Sequence, residues 1–347
     1  MISNVIKEDV RNILLELEEE LKDLSGKKIL ITGGNGFIAS YLVDLFVELS
    51  EKLKNPIKIY VINRNKLNPK SRLSHLIGNK NILFMEQDIG KPLNLPKGIN
   101  IIFHAASNAS PISFMKNPLE TIDSNINGTR NLLEYSKENH IENFLLFSSV
   151  DVYGNPPKEF LPTSELYNGN VDPTNPRSCY SESKRFSETL CSVFFRNFKV
   201  PAKILRIGHT YGPGLREDKA INEFFRKSIN SKKIDLRDSG EAKLSYCYIS
   251  DVIRGILKVM FKGNSGEAYN IGSGFPPVSI KDLALSIGNV QSNGTIVAPI
   301  YSEGNSSKGY IRYPDITKLK GLGFKPKINL EEGLLRIKSH YEETGTL

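Results

Sequence analysis

The chain has 347 residues, 39% of them hydrophobic and 24% charged, with three cysteines and a formal net charge of +8. That length buries a sizeable core in one large or two modest domains. No apolar run approaches the ~20 residues of a membrane span, the first residues are too acidic for a signal peptide, and Cys179, Cys191 and Cys247 show no metal-ligand spacing. The sequence therefore reads as cytoplasmic and metal-free. Its basic residues are scattered rather than blocked together with aromatics, so attraction of small anions is expected and a nucleic-acid partner is not.

Residues 5–24 read as an amphipathic helix with Ile6, Val10, Ile13, Leu14, Leu17, Leu21 and Leu24 on one face. Ser25-Gly26 ends it, and residues 1–25 are expected to dock as an extension on the main domain. From residue 27 strands and helices alternate. Strand-like runs fall at 28–32, 57–62, 81–85, 100–105, 143–149 and 202–207, and helical patterns at 37–53, 117–139 and 178–198. That alternation implies a doubly wound parallel sheet. Beyond about residue 208, Gly212-Pro213-Gly214, Gly263-Asn264 and Gly274-Phe275-Pro276-Pro277 punctuate shorter elements, as in a smaller α/β lobe.

The first strand runs into Thr32-Gly33-Gly34-Asn35-Gly36-Phe37-Ile38-Ala39. The glycines permit a tight turn and a close approach of backbone to a pyrophosphate. The helix behind them presents free N–H groups to the anion. The spacing is G-x-x-G-x-x-A rather than G-x-G-x-x-G. About 150 residues downstream, Tyr180 and Lys184 stand four apart on one helix face, so the ammonium is expected to lower the phenol's pKa. A tyrosine so lowered can take a proton from a sugar hydroxyl while hydride leaves the same carbon for a nicotinamide. Ser149, at the end of an apolar strand, is expected to hydrogen-bond the same oxygen.

These motifs, with Asp88, His104-Ala105-Ala106-Ser107-Asn108-Ala109-Ser110-Pro111, Asn125, Val152-Tyr153-Gly154 and Tyr211-Gly212-Pro213, resemble the extended short-chain dehydrogenases/reductases that modify nucleotide sugars. The likeness runs from residue 27 onward. Within that family, Asn175 to Arg185 and Glu188 to Cys191 look most like UDP-glucuronate decarboxylases. The resemblance implies a Rossmann-like domain over 26–203 and a substrate lobe over 204–347. It implies catalysis by Ser149, Asp151, Tyr180 and Lys184 through a 4-keto sugar. It further implies a dinucleotide held by Gly33, Asn35, Gly36, Phe37, Ile38, Asn63, Arg64, Asp88, Ile89, Ala105, Ala106, Ser107, Asn125, Ser148 and Ile207, with Tyr180 and Lys184. A nucleotide-sugar substrate on Asn108, Ser110, His209, Arg216, Lys243 and Arg312, and a homodimer joined by the helices at 117–139 and 178–198, complete the expectation.

Five departures qualify it. Asp151 replaces a glutamate. Val150 stands where dehydratases carry a proton-donating aspartate. Leu244 replaces a phosphate- or acid-clamping arginine, for which Lys243, Arg216 and Arg312 are the candidate substitutes. His209 stands where an asparagine is usual. At the end of the second strand Asn63-Arg64 replaces the aspartate of NAD-preferring members. NAD remains the expected cofactor, with NADP open. Decarboxylation ranks first, 4-epimerisation second and 4,6-dehydration third; a non-catalytic dinucleotide- or RNA-binding relative is the rival class. Asp251 is expected to cap a helix starting at Val252, and His104 to be satisfied at a strand end.

Overall fold

A computed structural model describes residues 2–216, 219–236, 238–292, 294–298 and 309–345. The elements in chain order begin with α1 (Asn4–Glu16), α2 (Glu18–Lys22), β1 (Lys28–Thr32), α3 (Phe37–Lys52), β2 (Lys58–Asn63), β3 (Ile82–Glu86) and β4 (Ile101–His104). They continue with α4 (Pro111–Lys116), α5 (Pro118–Asn139), β5 (Asn143–Ser149), α6 (Cys179–Phe198), β6 (Ala202–Ile207) and β7 (His209–Tyr211). The remainder holds α7 (Ala220–Ser231), β8 (Lys233–Asp235), β9 (Lys243–Leu244), β10 (Tyr246–Tyr248), α8 (Ile249–Lys262), β11 (Ala268–Ile271) and β12 (Val278–Ser279). After these come α9 (Ile280–Gln291), β13 (Ile296–Ala298), β14 (Ile311–Arg312), α10 (Thr317–Gly321) and α11 (Leu330–Thr344).

Seven parallel strands form the main sheet in the order β11-β6-β5-β4-β1-β2-β3. Alternate residues of β1 explain why both faces are covered. Ile29 and Ile31 join a core with α3 and α8, while Leu30 joins Phe144, Leu146 and Leu132 on the opposite side. Strands apolar on both faces are the signature of a sheet sandwiched between helices. Strand order reverses at β1, which lies between β4 and β2, and such a reversal opens a crevice at the strands' C-terminal ends. The glycine loop leaves β1 into that crevice.

The N-terminal extension folds as two helices rather than one. Leu17, at φ −108° and ψ 22°, breaks the run between α1 and α2. The break keeps Leu17, Leu21 and Leu24 all buried as the chain turns toward β1. Partly buried ion pairs anchor the extension to α8 and α11: Arg254 donates to Glu16 at 2.8 Å, Lys258 to Glu20 at 2.8 Å, and Arg336 to Asp9 at 3.3 Å.

Asp251 does not cap α8, which begins three residues before Val252. Its buried carboxylate instead accepts from the backbone N–H groups of Lys327 and Ile328 at 2.9 and 3.0 Å and from Arg254 at 2.9 Å. It ties the start of α8 to the segment leading into α11. Two backbone N–H donors and a guanidinium hold this carboxylate more firmly than an N-cap would.

Asp9 is 2% exposed, accepts from the Tyr248 hydroxyl at 2.8 Å, and faces Arg336, Arg254 and Glu8. Burial pushes its carboxyl up to about 7, against the opposing pull of Tyr248 and Arg336. A carboxyl with a raised folded pKa weakens the fold above that value, and the penalty fades as pH falls toward the unfolded value near 4. Asp9→Asn is therefore expected to be more stable than the wild type at pH 8, by about 1–3 kcal/mol. The gap should close between pH 7 and pH 4, as read by urea melts across that range. A variant less stable at every pH would show that the charge itself holds α1 in place.

Candidate active site

The loop after β1 is built by backbone contacts that admit no larger residue. Gly33 has φ +65°, its N–H donates to Ile62 O at 2.7 Å, and a Cβ there would lie 2.7 Å from the Ala106 backbone. A Cβ on Gly36 would meet Gly33 O at 2.9 Å, where the Gly36 N–H closes the turn. Ala105, Ala106 and Ser107 follow β4 directly, so the glycine turn packs against the strand across the switch point. Phe37 and Ile38 open α3, and the Asn35 N–H donates to Asn63 Oδ1 at 2.9 Å across to the end of β2.

On the other side of the crevice, β5 ends at Ser149 and α6 runs behind it. Tyr180 and Lys184 are buried on α6, and Phe114 of α4 stacks on the Tyr180 ring at 5.3 Å and 8°. Lys184 Nζ donates to Phe147 O at 2.7 Å, which places the ammonium beneath the last turn of β5. The expected sign of the tyrosine shift is reversed: burial pushes the phenol up to about 12, and the Ser149 hydrogen bond is the neighbour that favours the phenolate. The same burial brings Lys184 down to about 8. In this state desolvation of the phenol prevails, and the ammonium, 6.0 Å from the ring centroid, does not offset it.

Ser148 donates to Glu188 Oε1, Arg206 donates to both oxygens of Glu188, and Arg206 also reaches the Tyr153 hydroxyl at 3.1 Å. Tyr153 in turn donates to Asn270 Oδ1 at 2.7 Å. Ser148 thus faces away from the crevice into a polar network that links β5, α6, β6 and β11. Sequence reasoning missed Glu188, Arg206 and Asn270 as members of this site, because their separations carry no local pattern.

Asp151 and Arg312 form an ion pair. Arg312 lies in register with Leu244 on the neighbouring short strand, β14 against β9. The guanidinium therefore stands beside the position where the resemblance expects an arginine. Lys243 is exposed on the same strand, and Arg216 is exposed at the edge of the lobe. His209 begins β7 opposite Tyr246, and burial pushes its imidazole down to about 4. Ser110 is buried ahead of α4, while Asn108 contacts Glu120 and Thr121 at 3.4 Å. Asp88 accepts from the Gly90 N–H at 3.0 Å beside the buried Ile89, and Ile207 ends β6 in register with Ser149. His104 is satisfied by Thr32 and Thr129, as expected of a strand-end residue.

Among the described residues seven buried side-chain polar atoms have no partner, and six belong to the expected site: Asn35 Oδ1, Asn63 Nδ2, Ser107 Oγ, Asn125 Oδ1, His209 Nε2 and Arg312 Nε. Buried polar groups are paired in native proteins, so a cluster of orphans lining one crevice marks a surface made to be met by a polar ligand. One cation there had no signal in the sequence. Arg72, from the loop after β2, sits 5.6 Å over the Phe37 ring with no ion-pair partner among the described residues, and its charge is depressed by burial and by Arg216.

A phenol and an ammonium on one helix face, across a sheet switch point from a glycine loop, place the molecule among the extended short-chain dehydrogenases/reductases. A model described as the NAD dependent epimerase/dehydratase family matches residues 29–272, and the chain belongs to that family. It is 34% identical over 315 residues to UDP-glucuronic acid decarboxylase 5 of Arabidopsis thaliana, covering 89% of this chain and 88% of that protein. It is 32% identical to UDP-glucuronic acid decarboxylase 1 of Xenopus tropicalis, covering 90% and 72%. Among solved structures it is similar to UDP-glucose 4-epimerase of Thermotoga maritima with UDP-glucose, at 28% identity and TM-score 0.77, covering 92% of this chain and 100% of that one. It is also similar to a mutant UDP-glucuronic acid 4-epimerase of Bacillus cereus with a fluorinated UDP-glucuronic acid and NAD, at 25% identity and TM-score 0.76, covering 91% and 99%. The chain is thus a sugar-modifying enzyme of the NAD dependent epimerase/dehydratase family. Among the described residues no helix is long and apolar enough to cross a membrane.

Tyr180→Phe removes one oxygen from a packed ring and leaves the stack on Phe114 intact. Turnover should fall by about 10²–10⁴-fold while nucleotide measured after denaturation stays at the wild-type level. Turnover within about tenfold of wild type would assign proton transfer elsewhere.

Proposed function

We propose that this enzyme oxidises a nucleotide-linked hexuronic acid at C4 and releases the adjacent carboxylate as carbon dioxide, in the manner of a UDP-glucuronate decarboxylase. The observation that carries this reading is Arg312. Its guanidinium stands beside Leu244 and is tied to Asp151, two residues from Ser149, with Nε buried and unpartnered. A cation so held suits a substrate carboxylate close to Ser149 and Tyr180. The 30–34% identity to decarboxylases supports the same choice.

The orphaned atoms fit a dinucleotide. The glycine loop and α3 N-terminus would take its pyrophosphate, Asn63 its adenosine ribose, and Ser107 and Asn125 the groups deeper in the crevice. When bound, that cofactor would supply hydride acceptance from C4 and its return. Tyr180 takes the C4 hydroxyl proton. Lys184, beneath it, holds a positive charge that favours the phenolate once a second cation reaches the crevice. Ser149 and Tyr180 then hydrogen-bond the C4 ketone, into which the electrons of the bond to the carboxylate flow as carbon dioxide departs. Dehydration is disfavoured because Val150 has no proton to give and Asp151 is engaged by Arg312.

Incubation with UDP-glucuronate should give a product lighter by carbon dioxide, read by mass spectrometry, and Arg312→Gln should lower kcat/KM by about tenfold to a hundredfold. Unchanged mass with a new C4 configuration by NMR would instead make the enzyme a 4-epimerase, which needs only Ser149, Tyr180 and Lys184. Loss of water would overturn both.

A homodimer through α5 and α6 completes the reading. Leu119, Phe186 and Val193 are 75%, 50% and 42% exposed on this helix pair, and Ile112 of α4 adds 66%. Apolar groups of that size on neighbouring helices favour burial against a second copy. Sedimentation should report twice the 38.9 kDa chain mass, and a monomer at micromolar concentration would refute the interface.

A further inference from the structure

The end of β2 departs from an acidic dinucleotide site in both side chains that face the adenosine. Asn63 is 8% exposed, and its Oδ1 is fixed as an acceptor because the Asn35 N–H donates to it. Its Nδ2 is left as a buried donor with no partner. A carboxylate here would present only acceptors, welcome ribose hydroxyls and repel a phosphate. Asn63 does the reverse: it offers a donor and no charge.

Arg64 follows, with half its side chain exposed, and forms an ion pair with Glu120 from the first turn of α5. Both partners are open to solvent, and exposed ion pairs of this kind contribute little. A phosphate dianion offers the guanidinium a bidentate partner of higher charge, so it displaces the carboxylate readily. Glu120 has a second neighbour in Asn108, 3.4 Å away, which can retain it after the exchange.

We propose that Asn63 and Arg64 form a subsite for the 2′-phosphate of NADP, with Glu120 as its resident counter-ion, so that the enzyme holds NADP at least as firmly as NAD. The inference rests on the dinucleotide occupying the crevice as described above. Glu120 tunes the preference: it neutralises Arg64 when the unphosphorylated cofactor is bound and opposes the phosphate by its charge.

The full chain, equilibrated with equal concentrations of NAD and NADP, is desalted and denatured, and the released nucleotides are separated and counted. The wild type should release at least as much NADP as NAD. Arg64→Ala and Asn63→Asp should each lower the NADP:NAD ratio by about tenfold, and Glu120→Gln should raise it about threefold. The wild-type ratio should fall as salt is raised. The ratio is internal to each sample, so partial loss of folded protein does not distort it. A wild type that retains NAD about tenfold over NADP, with a ratio unmoved by Arg64→Ala, overturns the subsite but leaves the dinucleotide site standing. Retention of neither nucleotide overturns both.

Discussion

The active crevice depends on a single buried ammonium. Lys184 has almost no exposure and, among the described residues, no carboxylate in direct contact; its proton-bearing nitrogen rests on the Phe147 carbonyl, and Glu188 supplies compensating charge from one turn further along α6. A lone buried charge is tolerated only where surrounding dipoles and fields are fixed. Glu188 is fixed by Ser148 and Arg206, Arg206 by Tyr153 and the Glu165 carbonyl, and Tyr153 by Asn270. The strand that delivers Ser149, the helix that delivers Tyr180 and the outermost strand β11 are therefore one electrostatic unit. Their geometry is set before any ligand arrives.

The rest of the crevice is organised by charge in a different way. Its cations, Arg64, Arg72 and Arg312, come from a strand end, a loop and a two-residue strand, and two of them are paired with acids that a ligand can replace. The Ser149–Tyr180 unit is thus pre-set for proton transfer at a single oxygen. Around it stands an adjustable set of cations suited to anionic groups. The loss of an arginine at Leu244 is intelligible in this light, because parallel pairing puts Arg312 at the same level of the sheet.

Much of this was legible in the chain, and the reasons differ by element. β1, β5 and β6 are apolar runs bounded by turn residues, and α3, α5 and α6 carry long helical periods, so the structure's bounds match the expected ones within a residue or so. The glycine turn and the Tyr180–Lys184 spacing were readable because each is local. What was not legible is non-local or energetic. Two-residue strands such as β9 and β14 carry no period, so nothing in the sequence brings Arg312 beside Leu244. Asp251 looked like a cap because its helix was started too late; its partners lie 76 and 77 residues away. The sign of the Tyr180 shift turned on burial, which spacing along a helix does not report.

The docking of α1 carries a consequence for how the chain acquires its fold. Ser3 contacts His340, Asp9 contacts Tyr248 and Arg336, and Asn4 donates to Glu343, so α1 is completed by residues of β10 and α11 made more than 200 residues later. Closing a loop of more than 300 residues is entropically slow to be rewarded. During synthesis α1 can meet α3 early, but its docking stays incomplete until α8 and α11 have emerged. The central sheet, whose strands pair over shorter separations, can assemble first. The extension then acts as a latch whose closing reports that α11 has been made, and a chain lacking α11 is left with a less firmly held leucine-rich helix of the kind that chaperones and proteases recognise.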